Sequence, residues 1–502
     1  MSRMPNILFV QVDQLTARSL RAYGDKICHS PNLDRLAENG VVFETAYCNF
    51  PLCAPSRFSM ATGQLCSTIG AYDNAAEMPA SAPTYAHYLR DLGYQTTLSG
   101  KMHFIGPDQY HGFETRLTAD LYPADFSWVP NWGNEGKRDT NDPRSVTISG
   151  VCERSVQIDF DEEVTYKAIQ YLYDVARSDD KRPFFLQVSY THPHEPYLCR
   201  KEFWDLYEDT EIPMPTISSL SENQHDAHSV RLLKDFGMLN FKFEDEQILR
   251  ARRAYYGSIS YIDQMLGRIL ATLKATGAAE NTAVVFTSDH GEMLGERGMW
   301  FKKHFFEPAL KVPLFIYAPW IKSTRVNSPV SLVDLLPTFC GLATGAEWQS
   351  NVEDLEGSDL TVLFDDENKD RAVYAEYLAE ATTAPIFMVR RGKHKYISCS
   401  TDPNLLFDLQ SDPDEKHNLA ADLEYAKIVA EFDAEIAAKW SEGKLVNNIV
   451  TSQKRRILIR EAQKSGTSTR WNHNERPGDK VLWYRGEGSY NEWAFDYLPV
   501  GK

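Results

Sequence analysis

Residues 6–14 read NILFVQVDQ, an apolar run that stops abruptly at two polar side chains, Asp13 and Gln14. The part from Ile7 to Val12 has the length of a strand and is too short for a buried helix. An uninterrupted apolar strand is typical of a parallel sheet that is covered on both faces. Ligands of such sheets bind beyond the carboxyl ends of the strands. Asp13 and Gln14 are therefore the first candidate site residues.

The alternation of strand and helix continues along the chain. Helix signals run from Pro31 to Asn39, with Ser30 as the cap and Gly40 as the stop. Further strands are predicted at 41–47, 95–98, 184–190, 283–287 and 314–317. This pattern predicts an α/β fold, with a mostly parallel sheet and helices on both of its faces. Polar residues again follow the strands: Ser99, Gly100 and Lys101, then His192 and His194, and finally Asp289 and His290.

The pattern changes after about residue 368. Two antiparallel-looking segments, 372–377 and 387–398, precede an acidic loop and a helical stretch at 423–439. A basic helical stretch at 453–464 leads into a tail that is rich in Trp, Tyr, Gly and Asn. We therefore predict three parts: a catalytic α/β domain over 1–368, a smaller α+β subdomain with antiparallel strands over 369–445, and a C-terminal extension over 446–502.

The composition argues against several classes of function. A formal net charge of −17 leaves no basic stripe for a nucleic-acid partner. No apolar run reaches the roughly 18 residues of a membrane span, and the first strand is too short for a signal-peptide core. We therefore expect a cytoplasmic protein. The eight cysteines show no CxxC or disulfide-framework spacing, and most of them are expected to be buried thiols.

One cysteine stands in a distinct motif. Residues 51–63 read PLCAPSRFSMATG, in which Cys53, Pro55, Ser56 and Arg57 form the pattern Cys-x-Pro-Ser-Arg. This pattern resembles the signature of the formylglycine sulfatases, in which a dedicated maturase oxidises the cysteine to an aldehyde. A hydrated aldehyde has two hydroxyls on one carbon, so that one can attack sulfur while the other later expels sulfate. The resemblance makes Cys53 the nucleophile and implies the maturase as a partner.

Two strand ends carry the ligands that a hard divalent cation prefers. Asp13 with Gln14, and Asp289 with His290, supply carboxylates, an amide and an imidazole, which suit Ca²⁺, Mg²⁺ or Mn²⁺ better than Zn²⁺. Residues 287–292, TSDHGE, resemble the metal-binding stretch of the alkaline phosphatase superfamily, to which sulfatases belong. That resemblance implies an alkaline-phosphatase-like fold. It also implies that formylglycine, at position 53, is a further ligand of the metal, and that Ca²⁺ is the leading candidate for this metal.

Cationic side chains near these motifs complete the predicted chemistry. Lys101 and His103 follow one strand and can donate to sulfate oxygens. Arg57 lies one helical turn beyond Cys53, where it can hold the nucleophile and the metal carboxylates. The resemblance to sulfatases adds three catalytic candidates: the general acid His194, its alternative His192, and the sulfate ligand Lys302.

A closer resemblance covers nearly the whole chain. The segments 72–89, 106–114 and 122–128, together with the tail from residue 452, are similar to the choline sulfatases. This likeness implies Asn74 as a sulfate ligand and Trp128 as one wall of a cage for a trimethylammonium group. It also implies a homo-oligomer, expected to be a tetramer in which the tail reaches a neighbouring subunit. Choline sulfate is thereby the leading candidate among small sulfate esters.

One position departs from the choline sulfatase pattern. Our alignment places Asn141 where those enzymes have a histidine that faces the cation. Other residues are candidates for contact with the alcohol half of the substrate. Trp132 is a second aromatic wall, and either Glu376 or Glu380 is the carboxylate that would pair with a cation. Arg138 and Arg144 are two arginines that could bind an anionic group instead.

Two other functions remain open at this point. A phosphonate monoester hydrolase or phosphodiesterase of the same superfamily would share the nucleophile and the metal motifs, which do not separate it from a sulfatase. A non-catalytic binding protein on the same fold would require the loss of a nucleophile or of a metal ligand, and all of these are present. Unoxidised cysteine at position 53, in protein made together with the maturase, would favour that last alternative.

Overall fold

The computed structural model describes residues 4–134, 141–365, 370–486 and 488–501. Within these ranges the strands, β1 to β19 in chain order, are Asn6–Val12, Val41–Phe43, Ala46–Tyr47, Gln95–Gly100, Thr115–Arg116, Gly150–Val151, Arg154–Ser155, Phe184–Ser189, Leu198–Cys199, Thr282–Ser288, Lys311–Val312, Leu314–Tyr317, Thr324–Val326, Val330–Ser331, Ala372–Tyr377, Ile386–Arg391, His394–Cys399, Leu405–Asp408 and Tyr497–Leu498. The α-helices, α1 to α15, are Pro31–Asn39, Cys53–Thr62, Cys66–Ile69, Tyr85–Asp91, Arg144–Thr147, Val156–Arg177, Lys201–Asp205, Ala227–Asp235, Asp245–Ala275, Glu307–Leu310, Leu335–Thr344, Ala426–Lys439, Glu442–Lys464, Asp479–Leu482 and Tyr490–Ala494.

One large sheet organises the fold. Its eight strands lie in the order β13-β2-β12-β10-β1-β8-β4-β5. Strand β12 runs against its neighbours β10 and β2, and the other pairings in this sheet are parallel. Strand β1 lies between β10 and β8, and all of its residues are buried. The predicted strand at 7–12 and the predicted, mostly parallel sheet are both confirmed.

Two groups of helices pack against this sheet. Helices α6 and α9 contact each other, and α6 contacts β4 and β8. In the other group, α4 and α11 contact each other and supply Tyr85 and Phe339. These two rings pack around Phe9 of β1 and Phe185 of β8, with the centroids of Phe9 and Phe339 5.0 Å apart. Burial of such large rings is a main source of the stability of the central strands.

Two segments that were predicted as single strands are each two strands in the structure. Segment 41–47 divides into β2, in the large sheet, and β3, in a three-stranded sheet with β11 and β14. The break falls at the polar residues Glu44 and Thr45, whose backbones bond to different strands, at Val326 and Val330 respectively, each at 2.9 Å. Segment 387–398 is the hairpin of β16 and β17.

The C-terminal region confirms the predicted antiparallel strands. Strands β15 to β18 form a four-stranded antiparallel sheet. The helix predicted at 423–439 begins at Ala426, and the helix predicted at 453–464 begins earlier, at Glu442. The residues between 442 and 453 contain no strong helix-ending signal, so the helix extends upstream of the predicted start.

The C-terminal extension packs on its own chain. Arg456 of α13 donates two hydrogen bonds to the carboxylate of Asp73, at 2.7 and 2.8 Å. Trp483 is buried, and β19 pairs with β7. The described part of the tail is therefore attached to the catalytic region at several points. Contact with a neighbouring subunit stays a prediction.

Two features bear on the expectations from composition. None of the described helices combines the length and the apolar character needed to cross a membrane. All eight cysteines are buried free thiols, as the lack of a framework spacing predicts for most of them.

Candidate active site

The carboxyl ends of four neighbouring parallel strands bring the predicted polar residues together. Asp13 follows β1, Asp289 follows β10, Lys101 follows β4, and His192 comes shortly after β8. Backbone hydrogen bonds join these ends: the N–H of Asp13 donates to the carbonyl of His192 at 3.4 Å, and that of Asp289 to Val12 at 3.2 Å. The site therefore lies at the edge of the sheet where this fold class predicts it.

Cys53 lies at the same edge, as the first residue of α2. Its Sγ is 3.3 Å from Nε2 of His290 and 3.8 Å from Oδ1 of Asp13. One ligand atom from each of Asp13, Cys53, Asp289 and His290 lies within 4.8 Å of the others, and all four residues are buried. We call these four residues the ligand cluster.

The ligand cluster has the donors that a divalent cation requires. Two carboxylates and an imidazole are removed from water here, and buried negative charge is costly unless positive charge lies close to it. The two carboxylates supply oxygen donors, which suit Ca²⁺, Mg²⁺ or Mn²⁺, and formylglycine in place of Cys53 would add a third oxygen. The residues present therefore fit the divalent cation that the sequence predicts.

Arg57 and Lys101 hold the two carboxylates of the cluster. Nε of Arg57 donates to Oδ2 of Asp289 at 2.8 Å, and its Nη2 donates to Oδ2 of Asp13 at 3.3 Å. The ammonium of Lys101 donates to the same oxygen of Asp13. Burial opposes the ionisation of Asp13, but the charges of Lys101, His194 and Arg57 hold its pKa well below its usual range.

Gln14 connects the cluster to a second set of charged groups. Its backbone N–H donates to Oδ1 of Asp289 at 3.1 Å. Its side-chain amide donates to Glu195 at 2.6 Å and to Glu292, and its carbonyl oxygen accepts from the ammonium of Lys302. Burial, with the nearby charge of Glu195, raises the pKa of Glu292 to about 7. The amide of Gln14 is thus fully engaged by its neighbours.

A small cavity opens onto the nucleophile position, and we call it the Cys53 cavity. Its volume is about 40 Å³. Its lining consists of Leu52, Cys53, Asn74, Tyr122, Trp128, Asn141, His194, Glu195, Lys302, Lys303, Glu380 and Tyr490. Six of the predicted site residues are therefore brought together here: Cys53, Asn74, Trp128, His194, Lys302 and Glu380.

His194 and Lys302 lie side by side in this lining. Nζ of Lys302 is 2.7 Å from Nε2 of His194, whose Nδ1 is 2.7 Å from the carbonyl oxygen of Glu195. Burial opposes the charge of Lys302, but Cys53 and Glu195 raise its pKa above the ordinary value. Because Nδ1 donates to that carbonyl, Nε2 accepts from the ammonium of Lys302, so that the pair places a proton and a positive charge together in the lining.

Two predicted histidines lie outside the lining of the Cys53 cavity. Nδ1 of His192 is 2.7 Å from Oδ2 of Asp161. The ring of His103 packs against Tyr122 and Trp128, with centroids 5.0 and 5.5 Å apart. His103 therefore supports two aromatic walls of the cavity from behind. Between the two candidate acids, the structure places His194 in the cavity and His192 beside a buried carboxylate.

Trp132 and Glu376 do not reach the Cys53 cavity. Nε1 of Trp132 donates to the carbonyl of Ala379 at 2.7 Å. The carboxylate of Glu376 accepts from the backbone N–H of Ser67 at 2.6 Å and from Nε1 of Trp440 at 3.0 Å. These hydrogen bonds fix both residues elsewhere in the interior, so of the two candidate carboxylates the structure brings only Glu380 to the cavity.

Of the two arginines proposed for an anionic ester, Arg144 is described and does not line the cavity. Arg144 pairs with Asp142 at 2.7 Å, and its guanidinium lies 4.6 Å from the ring centre of Phe495. Arg138 lies outside the described residues. Asn141, the position of the departure from the choline sulfatase pattern, does line the cavity and donates to Glu195 at 2.5 Å.

Besides Leu52, which directly precedes Cys53, four lining residues were not singled out in the sequence. Glu195 and Lys303 are the chain neighbours of predicted residues, and Tyr122 begins one of the segments with the choline sulfatase likeness. Tyr490 comes from the C-terminal extension, and its hydroxyl lies 3.2 Å from that of Tyr122. Proximity to a predicted residue would have suggested the first three, whereas no local pattern connects Tyr490 with the site.

Comparison with known families gives two matches along the chain. Residues 5–346 match the family described as Sulfatase. Residues 295–442 match the family described as N-sulphoglucosamine sulphohydrolase, C-terminal.

Individual relatives agree with the family matches. The chain is 43% identical over 479 residues to a choline-sulfatase of Rhizobium meliloti, with 93% of each chain covered. It is 28% identical to an arylsulfatase of Clostridium perfringens, covering 88% of this chain and 95% of the relative. Among solved structures, the phosphonate monoester hydrolase of Agrobacterium radiobacter shares the fold, with a TM-score of 0.70, 24% identity, and 86% and 95% coverage.

Proposed function

Because the chain belongs to the sulfatase family, we propose that it is a sulfuric ester hydrolase that cleaves a small organic sulfate ester, with choline sulfate as the leading candidate. One observation carries this proposal. Cys53 lies within the ligand cluster and also lines a small cavity that contains His194 and Lys302. A nucleophile, a metal site, a proton donor and an anion-binding cation are thus available to one ligand.

The nucleophile in this proposal is formylglycine, made from Cys53 by a maturase. Its hydrate supplies two hydroxyls, of which one attacks sulfur and the other, on losing its proton, restores the aldehyde and expels sulfate. Arg57 is a positioning residue, because it bonds to both carboxylates of the ligand cluster and is completely buried. Its role is to keep those carboxylates, and the nucleophile between them, in one geometry.

The leaving alcohol and the sulfate group are assigned to residues of the lining. His194 donates a proton to the alcohol oxygen as the bond from sulfur to oxygen breaks. Lys302 and Asn74 hold sulfate oxygens, since both line the cavity next to Cys53. Lys101 and His103 support the same end of the site, with Lys101 bonded to Asp13.

The divalent cation is assigned to Asp13, Asp289, His290 and the formylglycine, and Ca²⁺ is preferred over Mg²⁺ and Mn²⁺. When bound, it would supply positive charge that stabilises the developing negative charge of the reacting oxygens. Gln14 completes the proposed ligand set through its amide oxygen, which accepts a hydrogen bond from Lys302 in this structure.

The alcohol half of the substrate is assigned to the aromatic side of the cavity. The ring of Trp128 lies 5.1 Å from that of Tyr122 and 5.3 Å from that of Tyr490, measured between centroids. Aromatic faces attract a quaternary ammonium group, and Glu380 adds a carboxylate to the same lining. These features, with the likeness to a choline-sulfatase, support choline as the leading alcohol.

Three further parts of the proposal concern the protein in its surroundings. The resemblance to choline sulfatases supports a homo-oligomer, expected to be a tetramer. The maturase is the partner that the cysteine motif requires. A cytoplasmic location stays a prediction.

The reaction type can be tested with a panel of esters. We expect the matured protein to hydrolyse alkyl and aryl sulfates faster than phosphonate monoesters and phosphate diesters, because the likeness to sulfatases extends over nearly the whole chain. Initial rates, measured at equal enzyme and known formylglycine content, check this. Faster turnover of a phosphonate monoester would replace the sulfatase assignment by the second hydrolase function.

The general acid can be tested by its leaving-group dependence. His194→Ala should lower kcat/KM for an alkyl sulfate by about 10²- to 10⁴-fold, the usual contribution of general acid catalysis. An aryl sulfate, whose leaving group needs little protonation, should lose far less. His192→Ala is the matched comparison, because His192 contacts Asp161 and does not line the cavity. Equal losses on both esters in His194→Ala would exclude His194 as the acid.

A further inference from the structure

Lys303 and Glu380 face each other in the Cys53 cavity. Nζ of Lys303 lies 3.0 Å from Oε1 of Glu380, and the two side chains are only 2% and 1% exposed. Both residues are part of the lining against which the proposed substrate must lie. Glu380, the carboxylate proposed to attract a cationic substrate, is therefore already paired with the ammonium of Lys303.

The backbone fixes Lys303 in this place. Its φ of +78° is left-handed, which is uncommon for a residue with a long side chain. Its N–H donates to the carbonyl of Pro51 at 2.9 Å, close to the start of the helix that carries Cys53. Its ammonium also lies 4.8 Å from the ring centre of Phe236. Such a conformation persists only where the surroundings determine it, so the lysine is a built part of the cavity.

A paired carboxylate attracts a ligand cation much less than a lone one. The field of a single charge falls off slowly with distance, whereas a positive partner 3.0 Å away cancels most of it. Lys302 adds another positive charge to the lining. The other carboxylate, Glu195, accepts hydrogen bonds from Asn141 at 2.5 Å and from Gln14 at 2.6 Å. Among the described residues of the lining, two lysines therefore balance the two carboxylates, which leaves no net negative charge there for the alcohol half.

We propose that Lys303 is a specificity-determining residue, which masks Glu380 and so limits the preference of the site for a cationic alcohol. This inference rests on the proposed function and narrows its substrate class. The alcohol half is selected mainly by its shape against Tyr122, Trp128 and Tyr490. Choline sulfate is hydrolysed, but its positive charge is favoured by the aromatic faces alone and gains little from Glu380.

The test compares two esters within each protein. kcat/KM is measured for choline sulfate and for its uncharged isostere, 3,3-dimethylbutyl sulfate, and their ratio is taken. In the unchanged enzyme the ratio should stay below about tenfold, because only the aromatic faces favour the cation while the charges of Lys303 and Glu380 nearly cancel. Lys303→Met removes the charge but keeps the length, and should raise the ratio about tenfold, as expected when one desolvated charge contact becomes available.

Two further variants separate the charge of the lysine from its packing. Glu380→Gln leaves Lys303 as the uncompensated charge, so the ratio should fall clearly below that of the unchanged enzyme. The double variant, Lys303→Met with Glu380→Gln, should return the ratio to the starting value, because both charges are gone. Lys311→Met is the matched control: it makes the same substitution at a lysine that lines a different cavity, and should keep the ratio.

The outcomes distinguish this inference from the proposed function. Each ratio is taken within one protein, so that incomplete maturation or lower stability affects both esters equally. A strong preference for choline in the unchanged enzyme, or a ratio that stays the same in Lys303→Met, would overturn the role of Lys303. Failure of the matured enzyme to hydrolyse any sulfate ester, aryl sulfates included, would instead refute the proposed function.

Discussion

Replacing Cys53 by alanine should abolish sulfate ester hydrolysis. We expect kcat to fall by on the order of 10⁴- to 10⁶-fold, the scale seen when a hydrolase loses its nucleophile. The fold should survive, because Cys53 is the first residue of a helix and alanine, a smaller residue, favours the helix. Steady-state rates on an aryl sulfate measure the loss, and thermal unfolding measures the integrity of the fold.

A serine at the same position refines this experiment. Cys53→Ser has one hydroxyl, so it can accept sulfate from the ester but lacks the second hydroxyl that would expel it. We therefore expect a single turnover at most, with a mass increase of one SO₃ group on the peptide that contains residue 53, the alcohol leaving with the serine proton. Peptide mass spectrometry of the unchanged enzyme should show formylglycine in place of cysteine. Sustained turnover by either variant would remove formylglycine from the mechanism.

The strands of the central sheet could be predicted because their sequence and their environment agree. Strand β1 is apolar at five of its seven positions and is buried along its whole length, so that the pattern and the structure carry the same information. The division of segment 41–47 could not be predicted with equal ease. Glu44 and Thr45 are polar but can also occur within a strand, and only their bonds to Val326 and Val330 show that two sheets meet there.

The candidate site was predictable where a short motif carries the chemistry. Cys53, Asp13, Asp289 and His290 follow strand ends or begin a helix, and parallel strands bring such positions to one edge. The alcohol side was less predictable, because it depends on contacts between distant segments. Glu376 belongs to a predicted strand, yet hydrogen bonds to Ser67 and Trp440 hold its carboxylate away from the cavity.

Distance along the chain also explains why the sequence did not predict that the C-terminal extension contributes Tyr490 to the Cys53 cavity. Tyr490 lies more than 350 residues from Tyr122 in sequence, yet their hydroxyls are 3.2 Å apart. Its ring packs against Trp128, which the resemblance to choline sulfatases had already indicated. A composition rich in aromatic residues predicts that a tail is ordered on some surface, but it does not identify that surface. Only the folded structure connects this tail to the cavity.

Asp289→Asn should remove the bound divalent cation and the activity together. An amide oxygen binds a hard cation more weakly than a carboxylate does, and the change also weakens the bond from Arg57, which is 2.8 Å long. We expect metal affinity to fall by at least about 100-fold, and kcat/KM by about 10³-fold or more. Metal content per chain, measured by mass spectrometry after dialysis, gives a readout that does not depend on turnover.

A buried carboxylate outside the site separates metal binding from general destabilisation. Asp334 is also buried and pairs with an arginine, Arg371, at 2.8 Å, but it does not belong to the ligand cluster. Asp334→Asn should therefore lower the unfolding temperature while the metal content stays at the level of the unchanged enzyme. Asp289→Asn should lower both, and added Ca²⁺ should raise the unfolding temperature of the unchanged enzyme more than that of this variant. Retention of a full complement of metal by Asp289→Asn would show that the cluster around Cys53 is not where the cation binds.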